Sequence, residues 1–287
     1  MSKINGIYAA TMSVLNEDLS LNVAKTIKHI EQLINKGCHG VAIFGSTGQA
    51  QLISVSEKIK LLNELSLNIH KDKFIIGTGL NSLTETINLI KISTSLSFKR
   101  FLIMPPAYYK YGHEDVINFY SKIIEAVPEC EIVLYNFEKL CGYKFDIPTV
   151  KELVKKFPKQ IIGIKDSTYN IYEELKLENF SVLPGSESKL VKGLGIGCSG
   201  IITATCNVTA ELSRKVYDDF IKNKNTLNNQ KLCDVREVFE KYNLISSLHS
   251  YYSVKDKIYK NLLPPLHLLE QNEYQDLEKN LNILNFK

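Results

Sequence analysis

The sequence predicts a (β/α)₈ barrel followed by a C-terminal helical extension. Eight short apolar runs of strand type recur along the chain, and amphipathic segments with helix-start signals lie between them. Alternating strands and helices demand a parallel sheet, because each crossover returns the chain right-handedly to the same end. Eight such units in about 205 residues, with no linker rich in Pro, Gly or Ser, fit a closed barrel. A doubly wound open sheet is the alternative.

The strand and helix signals follow one another in a regular order. Ser54 to Glu57 form a capping box before an apolar-periodic run that ends at Ile69, and Asp146 and Pro148 precede a second such run at 150–157. The predicted strands cover residues 4–11, 40–45, 74–79, 101–104, 132–136, 161–165, 182–185 and 200–203.

Helical periodicity without a further strand signal continues after Thr203, over residues 210–223, 230–248 and 271–284. One helix completes the barrel, so the remaining helices are surplus to it. We therefore predict a catalytic barrel over residues 1–225 and a helical extension over 226–287 that packs on the barrel or on a neighbouring subunit.

Composition excludes several classes of protein. The 287 residues are 44% hydrophobic and 23% charged, which is typical of a globular domain, and the net charge of +4 is spread along the chain rather than gathered into a nucleic-acid-binding stripe. No apolar run approaches the roughly 18 residues of a membrane span, and the first residues lack the pattern of a secretory signal. Six scattered cysteines without a C-x-x-C pair are typical of reduced thiols, so we expect a cytoplasmic protein.

The chain also lacks the usual signatures of metal and nucleotide sites. The histidines have no H-E-x-x-H spacing, and no glycine-rich phosphate loop is present, so we expect no metal and no organic cofactor. The three arginines among 35 basic residues are Arg100, Arg214 and Arg236. A bidentate arginine clamp for an anionic substrate is therefore possible only if one of these three reaches the site.

Chemistry in such a barrel lies at the carboxyl ends of the strands, and the sixth strand ends in a lysine. Period-2 alternation places Lys165 on the same inward face as Gly163, and we expect the glycine to leave room beneath the lysine stem. An ammonium ion loses hydration in such an interior, which makes a neutral, nucleophilic amine available to attack a carbonyl and form an imine. A lysine that reaches water is the alternative for an isolated residue.

Polar and aromatic residues lie at the ends of three other strands, the fifth, the second and the fourth. Tyr135 ends the fifth strand, where a phenol can transfer protons to and from reacting groups. Residues 45–48, Gly-Ser-Thr-Gly, follow the second strand and suit a turn that binds a carboxylate through amides and hydroxyls. Tyr108 and Tyr109 form an aromatic pair on a proline-stiffened loop after the fourth strand, which is also typical of an interface. A core tyrosine and a plain βα turn are the structural alternatives.

Together these segments resemble the dihydrodipicolinate synthase/N-acetylneuraminate lyase family of pyruvate-dependent class I aldolases. The resemblance runs in order and spacing from about residue 6 to residue 205, with a helical tail of the expected length. Six motifs of the family are present. They are G-[ST]-T-G at residues 45–48, the tyrosine pair at Tyr108-Tyr109, the Y-N strand end at Tyr135-Asn136, the G-x-K lysine at 163–165, the seventh-strand glycine at Gly185 and the G-x-G-x-I-[ST] stretch at 195–203.

The resemblance implies a role for each matched residue. Lys165 forms a covalent imine with pyruvate, without any other cofactor, and Tyr135 transfers protons. Ser46, with Thr47, forms the pyruvate-carboxylate site and the proton relay, and Tyr109 reaches into a neighbouring subunit's site within a homotetramer that is a dimer of dimers. The implied substrate-binding residues are Thr47, Gly48, Ile202, Ser167, Gly185 and Glu187.

Three positions depart from the family pattern. Gln49 stands where the family usually has a glutamate after G-[ST]-T-G, and Glu138 replaces the proline of Y-N-x-P. Leu140 occupies the position, five residues after the strand-five tyrosine, at which dihydrodipicolinate synthases carry an arginine for the carboxylate of their aldehyde.

These departures guide the choice of substrate. We predict a lyase or aldolase that joins or splits pyruvate and an aldehyde, with a 2-keto-3-deoxy sugar acid or N-acetylneuraminate-like substrate favoured by Leu140. Hydroxyl and carboxylate groups that could bind a polyol follow the sixth and seventh strands, at Ser167, Thr168, Ser186, Glu187 and Ser188.

Other functions remain open at this stage. The main alternative is a 4-hydroxy-tetrahydrodipicolinate (dihydrodipicolinate) synthase that condenses pyruvate with aspartate semialdehyde in lysine biosynthesis, with Lys139 pairing the carboxylate. A non-catalytic barrel homologue is an alternative of another class. A phosphate-binding isomerase is disfavoured, because no glycine-rich seventh or eighth loop is paired with a suitable basic residue.

Overall fold

Eight parallel strands form a single sheet in the computed structural model, which describes residues 3–286. They are β1 Gly6–Ala10, β2 Gly40–Ile43, β3 Phe74–Gly77, β4 Arg100–Ile103, β5 Glu131–Asn136, β6 Ile161–Asp166, β7 Ser181–Pro184 and β8 Gly200–Thr203. Their order is β7-β6-β5-β4-β3-β2-β1-β8. Between the two end strands, the Ser199 amide donates to the Val182 carbonyl at 2.9 Å, which brings the sheet to a nearly closed barrel. The predicted barrel and its eight strands are confirmed.

Helices cover the outside of the barrel and continue beyond it. They are α1 Val23–Asn35, α2 Val55–Leu65, α3 Leu83–Ser95, α4 His113–Ala126, α5 Glu138–Cys141, α6 Ile147–Lys156, α7 Leu190–Gly195, α8 Cys206–Asn223, α9 Asn229–Glu240, α10 Leu244–Ser253 and α11 Gln271–Ile283. Two predicted helix starts are confirmed, because the Ser54 and Asp146 side chains accept from the amides of Glu57 and Thr149. None of the helices in residues 3–286 is long and apolar enough to cross a bilayer.

Strand alternation separates two apolar layers. One layer fills the barrel interior with residues such as Ala42, Ile75 and Leu102, and the other packs the outward strand residues against the helices. In β5 and β6 the register shifts between Ile132 and Val133, so that Ile162 also joins the interior layer. Parallel strands covered on both faces require such continuous apolar runs, which is why the sequence pattern revealed them.

The connection from β6 to β7 differs from the regular pattern. Residues 167–180 contain no helix and consist of turns and loop, although the sequence predicts a βα unit here. The predicted helix over 230–248 is also two helices, α9 and α10. Asn243 interrupts it, because its side-chain oxygen accepts from the amides of Ile245 and Ser246 and so starts a new helix.

The extension packs on the barrel through a third apolar cluster and buried polar contacts. Met12 and Val14, from the loop after β1, contact residues of α9 to α11 in that cluster. The predicted boundary at residue 225 falls between α8 and α9. On the barrel side, the His29 ring in α1 meets the Tyr259 hydroxyl at 2.9 Å and the Asn207 side-chain oxygen at 2.8 Å.

Acid pH is expected to weaken the fold through two buried histidines. Burial lowers the pKa of both His29 and His249 from 6.5 to about 4. Between these values the unfolded chain binds more protons than the folded chain, so stability is present above pH 6.5 and is lost as the pH falls toward 4. Each histidine contributes up to about 3 kcal/mol to this loss.

Denaturant unfolding at several pH values between 7 and 4.5 measures the effect. The His29→Gln variant is expected to show a shallower fall in the free energy of unfolding than the wild type. A His267→Gln variant serves as control, because that side chain is exposed. Equal slopes for the wild type and His29→Gln would contradict the prediction.

Candidate active site

A cavity of about 570 Å³ lies at the carboxyl ends of the strands. Six residues expected from the sequence line it, namely Ser46, Thr47, Tyr135, Lys165, Ser167 and Gly185. The cavity also receives residues of the extension, among them Arg236 and Glu240. Within residues 3–286, no group of three or more His, Cys, Asp or Glu side chains is placed to hold a metal ion.

Lys165 and Tyr135 meet because they are register partners in the β5–β6 ladder. The Lys165 Nζ lies 3.2 Å from the Tyr135 hydroxyl and 4.2 Å from the centre of its ring. Both side chains are buried, at 3% and 4% exposure. An amine held this close to a phenol, away from bulk water, can exchange a proton with it directly.

Gly163 precedes Lys165 by two residues on β6 and lies close to the backbone of β7. A Cβ at this position would come within 2.7 Å of the Ser181 carbonyl oxygen and 3.1 Å of the Ser181 Cβ. The glycine therefore allows β7 to approach β6, and the three atoms nearest to such a Cβ belong to Ser181 rather than to the lysine stem. The approach of β7 also brings Gly185 to the edge of the cavity.

Ser46 extends the chain of polar groups on the other side of Tyr135. Its hydroxyl lies 3.1 Å from the Tyr135 hydroxyl, so a proton can pass from Lys165 through Tyr135 to Ser46. A short turn over Ser46–Gly48 holds this hydroxyl directly after β2. The sequence placed these three side chains on three different strand ends, and the barrel brings them together.

Thr47 and Gly48 of the same turn occupy different positions. Thr47 lines the cavity and is buried. The Gly48 amide donates to the Gly45 carbonyl within the turn, and its carbonyl accepts from the Ser13 hydroxyl. A Cβ on Gly48 would lie 2.8 Å from the Thr11 carbonyl oxygen, so this glycine allows the β2 turn to pack against the loop after β1.

Asp166 organises the loop that follows Lys165. Its buried carboxylate accepts five hydrogen bonds. The donors are the Asn136 side chain and the amides of Thr168, Tyr169, Ile171 and Tyr172. These five hydrogen bonds hold residues 167–172 in place where a regular sixth βα unit would have a helix. The sequence analysis did not identify this role of Asp166.

Ser167 and Gly185 face each other across the cavity edge. A Cβ on Gly185 would lie 2.3 Å from the Ser167 hydroxyl oxygen, so the glycine leaves the space that this side chain occupies. The amides of both residues donate to backbone carbonyls, those of Asn136 and Asp166. Their contribution to the cavity is therefore the Ser167 hydroxyl and the open surface of Gly185.

Besides Gly48, three predicted site residues lie outside the cavity in this chain. Ile202 is buried in the barrel interior, as a neighbour of Tyr8 across the β1–β8 ladder. Tyr109 is 75% exposed and packs edge-on against Tyr108 with ring centres 5.0 Å apart. Glu187 is fully buried, and its two oxygens accept from the hydroxyls of Thr203 and Thr209.

The extension supplies residues that the sequence did not place. Arg236 lies on α9, and its guanidinium reaches Glu187 at 3.4 Å and Glu240 at 3.1 Å while lining the cavity. The sequence has only three arginines, so it limited the possible arginine ligands of the site to three positions. Periodicity within α9, however, does not show which barrel residues the helix faces.

The departures from the family pattern have structural partners. The Gln49 side-chain oxygen accepts from the Leu263 amide at 2.8 Å, which ties the β2 turn to the extension. The Glu138 amide donates to the Thr168 hydroxyl at 2.9 Å, and Leu140 lines the cavity. None of these contacts disturbs the hydrogen bonds that join the Lys165 amine, the Tyr135 hydroxyl and the Ser46 hydroxyl.

A buried amine beside a phenol and a hydroxyl, at the active end of a (β/α)₈ barrel, has the groups that imine chemistry on a keto acid needs. The comparisons with known proteins agree with this class. The model of the dihydrodipicolinate synthetase family matches residues 3–284. The chain belongs to this family and is an enzyme of its lyase class.

Two curated relatives each match about three quarters of the chain. An uncharacterised lyase of Chloroflexus aurantiacus is 27% identical over 228 residues, 77% of this chain and 76% of that protein. The 4-hydroxy-tetrahydrodipicolinate synthase of Methanopyrus kandleri is 27% identical over 223 residues, 75% and 74% of the two chains.

Solved structures match the whole fold. The 4-hydroxy-tetrahydrodipicolinate synthase of Methylacidiphilum fumariolicum has a TM-score of 0.89 at 23% identity, with 99% and 96% of the two chains covered. A 2-keto-3-deoxygluconate aldolase variant from Sulfolobus solfataricus has a TM-score of 0.86 at 21% identity, with 98% and 96% covered. A prophage protein of the same family from E. coli, in complex with pyruvate, has a TM-score of 0.89 at 21% identity and full coverage of both chains.

Asp166→Asn is expected to destabilise the protein and loosen the loop at 167–172. One carboxylate oxygen becomes an amide group that cannot accept from backbone amides, which leaves buried donors without a partner. We expect the free energy of unfolding to fall by about 2–4 kcal/mol. Denaturant unfolding measures this loss, and hydrogen exchange locates the loosened amides.

The matched control is Asp218→Asn, which removes a partly exposed ion pair with Arg214. Its expected cost is below about 1 kcal/mol. If the two variants lose the same stability, the proposed importance of Asp166 is refuted.

Proposed function

We propose that this protein is a pyruvate-dependent Schiff-base aldolase or lyase that joins pyruvate to an aldehyde or splits the corresponding product. The observation that carries the proposal is the row of Lys165, Tyr135 and Ser46, with contacts of 3.2 and 3.1 Å at one cavity. The cavity also provides space for a second substrate beside the lysine.

The reaction begins at Lys165. Its amine nitrogen attacks C2 of pyruvate, and the resulting carbinolamine loses water to give an imine. Tyr135 donates the proton that the departing hydroxyl needs and receives protons back in the reverse step. Ser46, the next group in the row, passes these protons on.

Carbon–carbon bond formation follows from the imine. Loss of a proton from C3 gives an enamine, whose C3 attacks the aldehyde carbon while the aldehyde oxygen takes up a proton. Water then hydrolyses the imine and releases the product from Lys165. In the cleavage direction the same steps run backwards, and the new bond breaks to leave the enamine and a free aldehyde.

The substrate carboxylate is assigned to the β2 turn. Ser46 and the buried Thr47 both line the cavity, and the Ser46 hydroxyl lies 3.1 Å from the Tyr135 hydroxyl. A carboxylate placed there would hold C2 of pyruvate near the Lys165 amine. Ile202 and Gly48 would support this pocket from below and behind rather than through side chains that line the cavity.

The hypothesis that this protein is an enzyme is preferred to the hypothesis that it is a non-catalytic barrel. Gln49 and Glu138, which encouraged the non-catalytic alternative, make contacts that hold loops in place. The reacting row remains intact beside them. We therefore assign both residues structural roles and retain the enzyme hypothesis.

The second substrate is an aldehyde of one of two classes. The sugar-acid preference relied on Leu140 and on hydroxyls after β6 and β7. Leu140 and Ser167 line the cavity, but Glu187 is engaged elsewhere and Ser186 and Ser188 hydrogen-bond each other at 3.0 Å. Both the sugar-acid aldehyde and aspartate semialdehyde therefore remain candidates.

Assembly is proposed to complete the site in a cytoplasmic homotetramer. Tyr108 and Tyr109 expose 89% and 75% of their surfaces, which is unusual for a pair of large aromatic residues on one loop. A second, mainly apolar cavity of about 380 Å³ lies against Ser46 and Tyr135 on the side formed by Ala50. A partner subunit's aromatic loop would fit such a space, and two-fold symmetry would make the exchange mutual.

Borohydride reduction in the presence of pyruvate is expected to trap one covalent adduct, on Lys165. Two lysines make this a stringent test. Lys58 is fully buried and its pKa is lowered by burial to about 8, whereas Lys139 lines the cavity. Peptide mapping by mass spectrometry identifies the modified residue.

Lys139→Ala is the matched control and should retain the adduct, whereas Lys165→Ala should lose it. An adduct that maps to Lys58 or Lys139, or the absence of any pyruvate adduct in the wild type, would show that the proposed mechanism is wrong.

Tyr109→Phe is expected to lower turnover at least about tenfold, because in the proposed tetramer the Tyr109 hydroxyl reaches the neighbouring subunit's site and joins its row of proton-transferring groups. Thermal unfolding should change little, since the side chain is exposed in the single chain. Tyr108→Phe is the control on the same loop. Sedimentation of the active wild-type enzyme as a monomer would contradict the proposed assembly.

A further inference from the structure

Arg236 presents two edges of its guanidinium to different surroundings. The inner edge is fixed by the barrel: Nη1 donates to the hydroxyls of Thr203 and Thr205 at 3.0 and 3.1 Å and lies 3.4 Å from the Glu187 carboxylate. Glu187 is fully buried and the Arg236 side chain is 6% exposed. This edge is unavailable to a ligand.

The outer edge forms a two-point contact with Glu240. Nε donates to Glu240 Oε2 at 3.1 Å and Nη2 donates to Oε1 at 3.3 Å. Two parallel N–H···O bonds are the arrangement in which arginine frequently binds carboxylates. The Glu240 side chain is 56% exposed, so it lies over the arginine at the cavity mouth.

The charges favour Glu240 as the replaceable partner. Glu187 already provides one anion for the buried guanidinium, and Glu240 adds a second. Although partial burial alone would raise the pKa of Glu240, Arg236 more than offsets this effect and holds the pKa below its usual value, with further lowering from Lys139 and Lys189. A displaced Glu240 carboxylate therefore has two cations nearby and access to water.

We propose that Arg236 binds a carboxylate of the aldehyde substrate, which takes the place of the Glu240 carboxylate on the outer edge. This inference rests on the proposed aldolase function, because Arg236 lines the same cavity as Lys165. The exchange replaces one pair of charge-assisted hydrogen bonds with another, so the buried arginine never loses its partner.

The proposal defines the substrate class as an aldehyde that carries its own carboxylate. Leu140 lines the cavity without offering such a group a partner, and the extension provides the arginine instead. A neutral aldehyde cannot displace Glu240 from Arg236, so it gains no binding energy from the arginine. Aspartate semialdehyde and the semialdehydes of hydroxylated diacids belong to the favoured class, whereas glyceraldehyde does not.

Two probe aldehydes of equal chain length test the proposal. Succinate semialdehyde carries a carboxylate, and butanal does not. The measured quantity is the ratio of kcat/KM for condensation with pyruvate, succinate semialdehyde over butanal. We expect a ratio of at least about 10 for the wild-type enzyme, in line with the strength of a bidentate charge-assisted contact.

Variants on the two sides of the contact should move the ratio in opposite directions. Glu240→Ala removes the competing carboxylate and should raise the ratio about fivefold, mainly through a lower KM for succinate semialdehyde. Arg236→Lys cannot form two parallel bonds and should lower the ratio by about tenfold or more. Arg214→Lys is the matched control, because Arg214 pairs with Asp218 in the same i, i+4 geometry away from the cavity.

The outcomes separate this inference from the aldolase function. If borohydride traps no pyruvate on Lys165, the proposed function itself fails. If pyruvate is trapped but Glu240→Ala leaves the ratio unchanged or lowers it, or if succinate semialdehyde does not react, the carboxylate exchange is overturned while the imine chemistry stands. If Arg236→Lys does not fold, Glu240→Ala alone tests whether a substrate carboxylate replaces Glu240 on Arg236.

Discussion

The last two rungs of the β5–β6 ladder control the active end of the barrel. One rung pairs Tyr135 with Lys165, and the next pairs Asn136 with Asp166. Successive residues on a strand point to opposite faces, so the first rung directs its side chains into the barrel and the second directs its side chains toward the following loop. The Lys165–Tyr135 pair and the support of the following loop are thus set by the same register.

The register itself depends on a local irregularity. The shift between Ile132 and Val133 inserts one residue of β6 into the interior layer below the site. Without this shift, the side chains of β6 beyond it, Lys165 among them, would face the opposite side of the sheet, because a one-residue slip moves every side chain of a strand to the other face. Gly163 then allows β7 close enough for its carboxyl end to border the same cavity.

The C-terminal extension is part of the site as well as a cover for the barrel. Gln49 connects the β2 turn to the backbone of the extension, and Arg236 reaches from α9 to the ends of β7 and β8. Polar groups at the mouth are held from both sides, by barrel strands and by extension helices. The lining of the cavity therefore depends on α9 as well as on the strand that carries Lys165.

The sequence by itself determined the barrel, its eight strands and the strand ends at which Lys165, Tyr135 and Ser46 lie, because apolar periodicity and short motifs report local structure directly. It did not determine the roles of Asp166, Gly163, Glu187 or Arg236. Hydrogen bonds to loop amides, close strand approach and ion pairs between distant elements depend on the packing of those elements in space. Only the tertiary structure decided that Glu187 faces inward to Thr203 and Arg236, and that Arg236 faces the cavity.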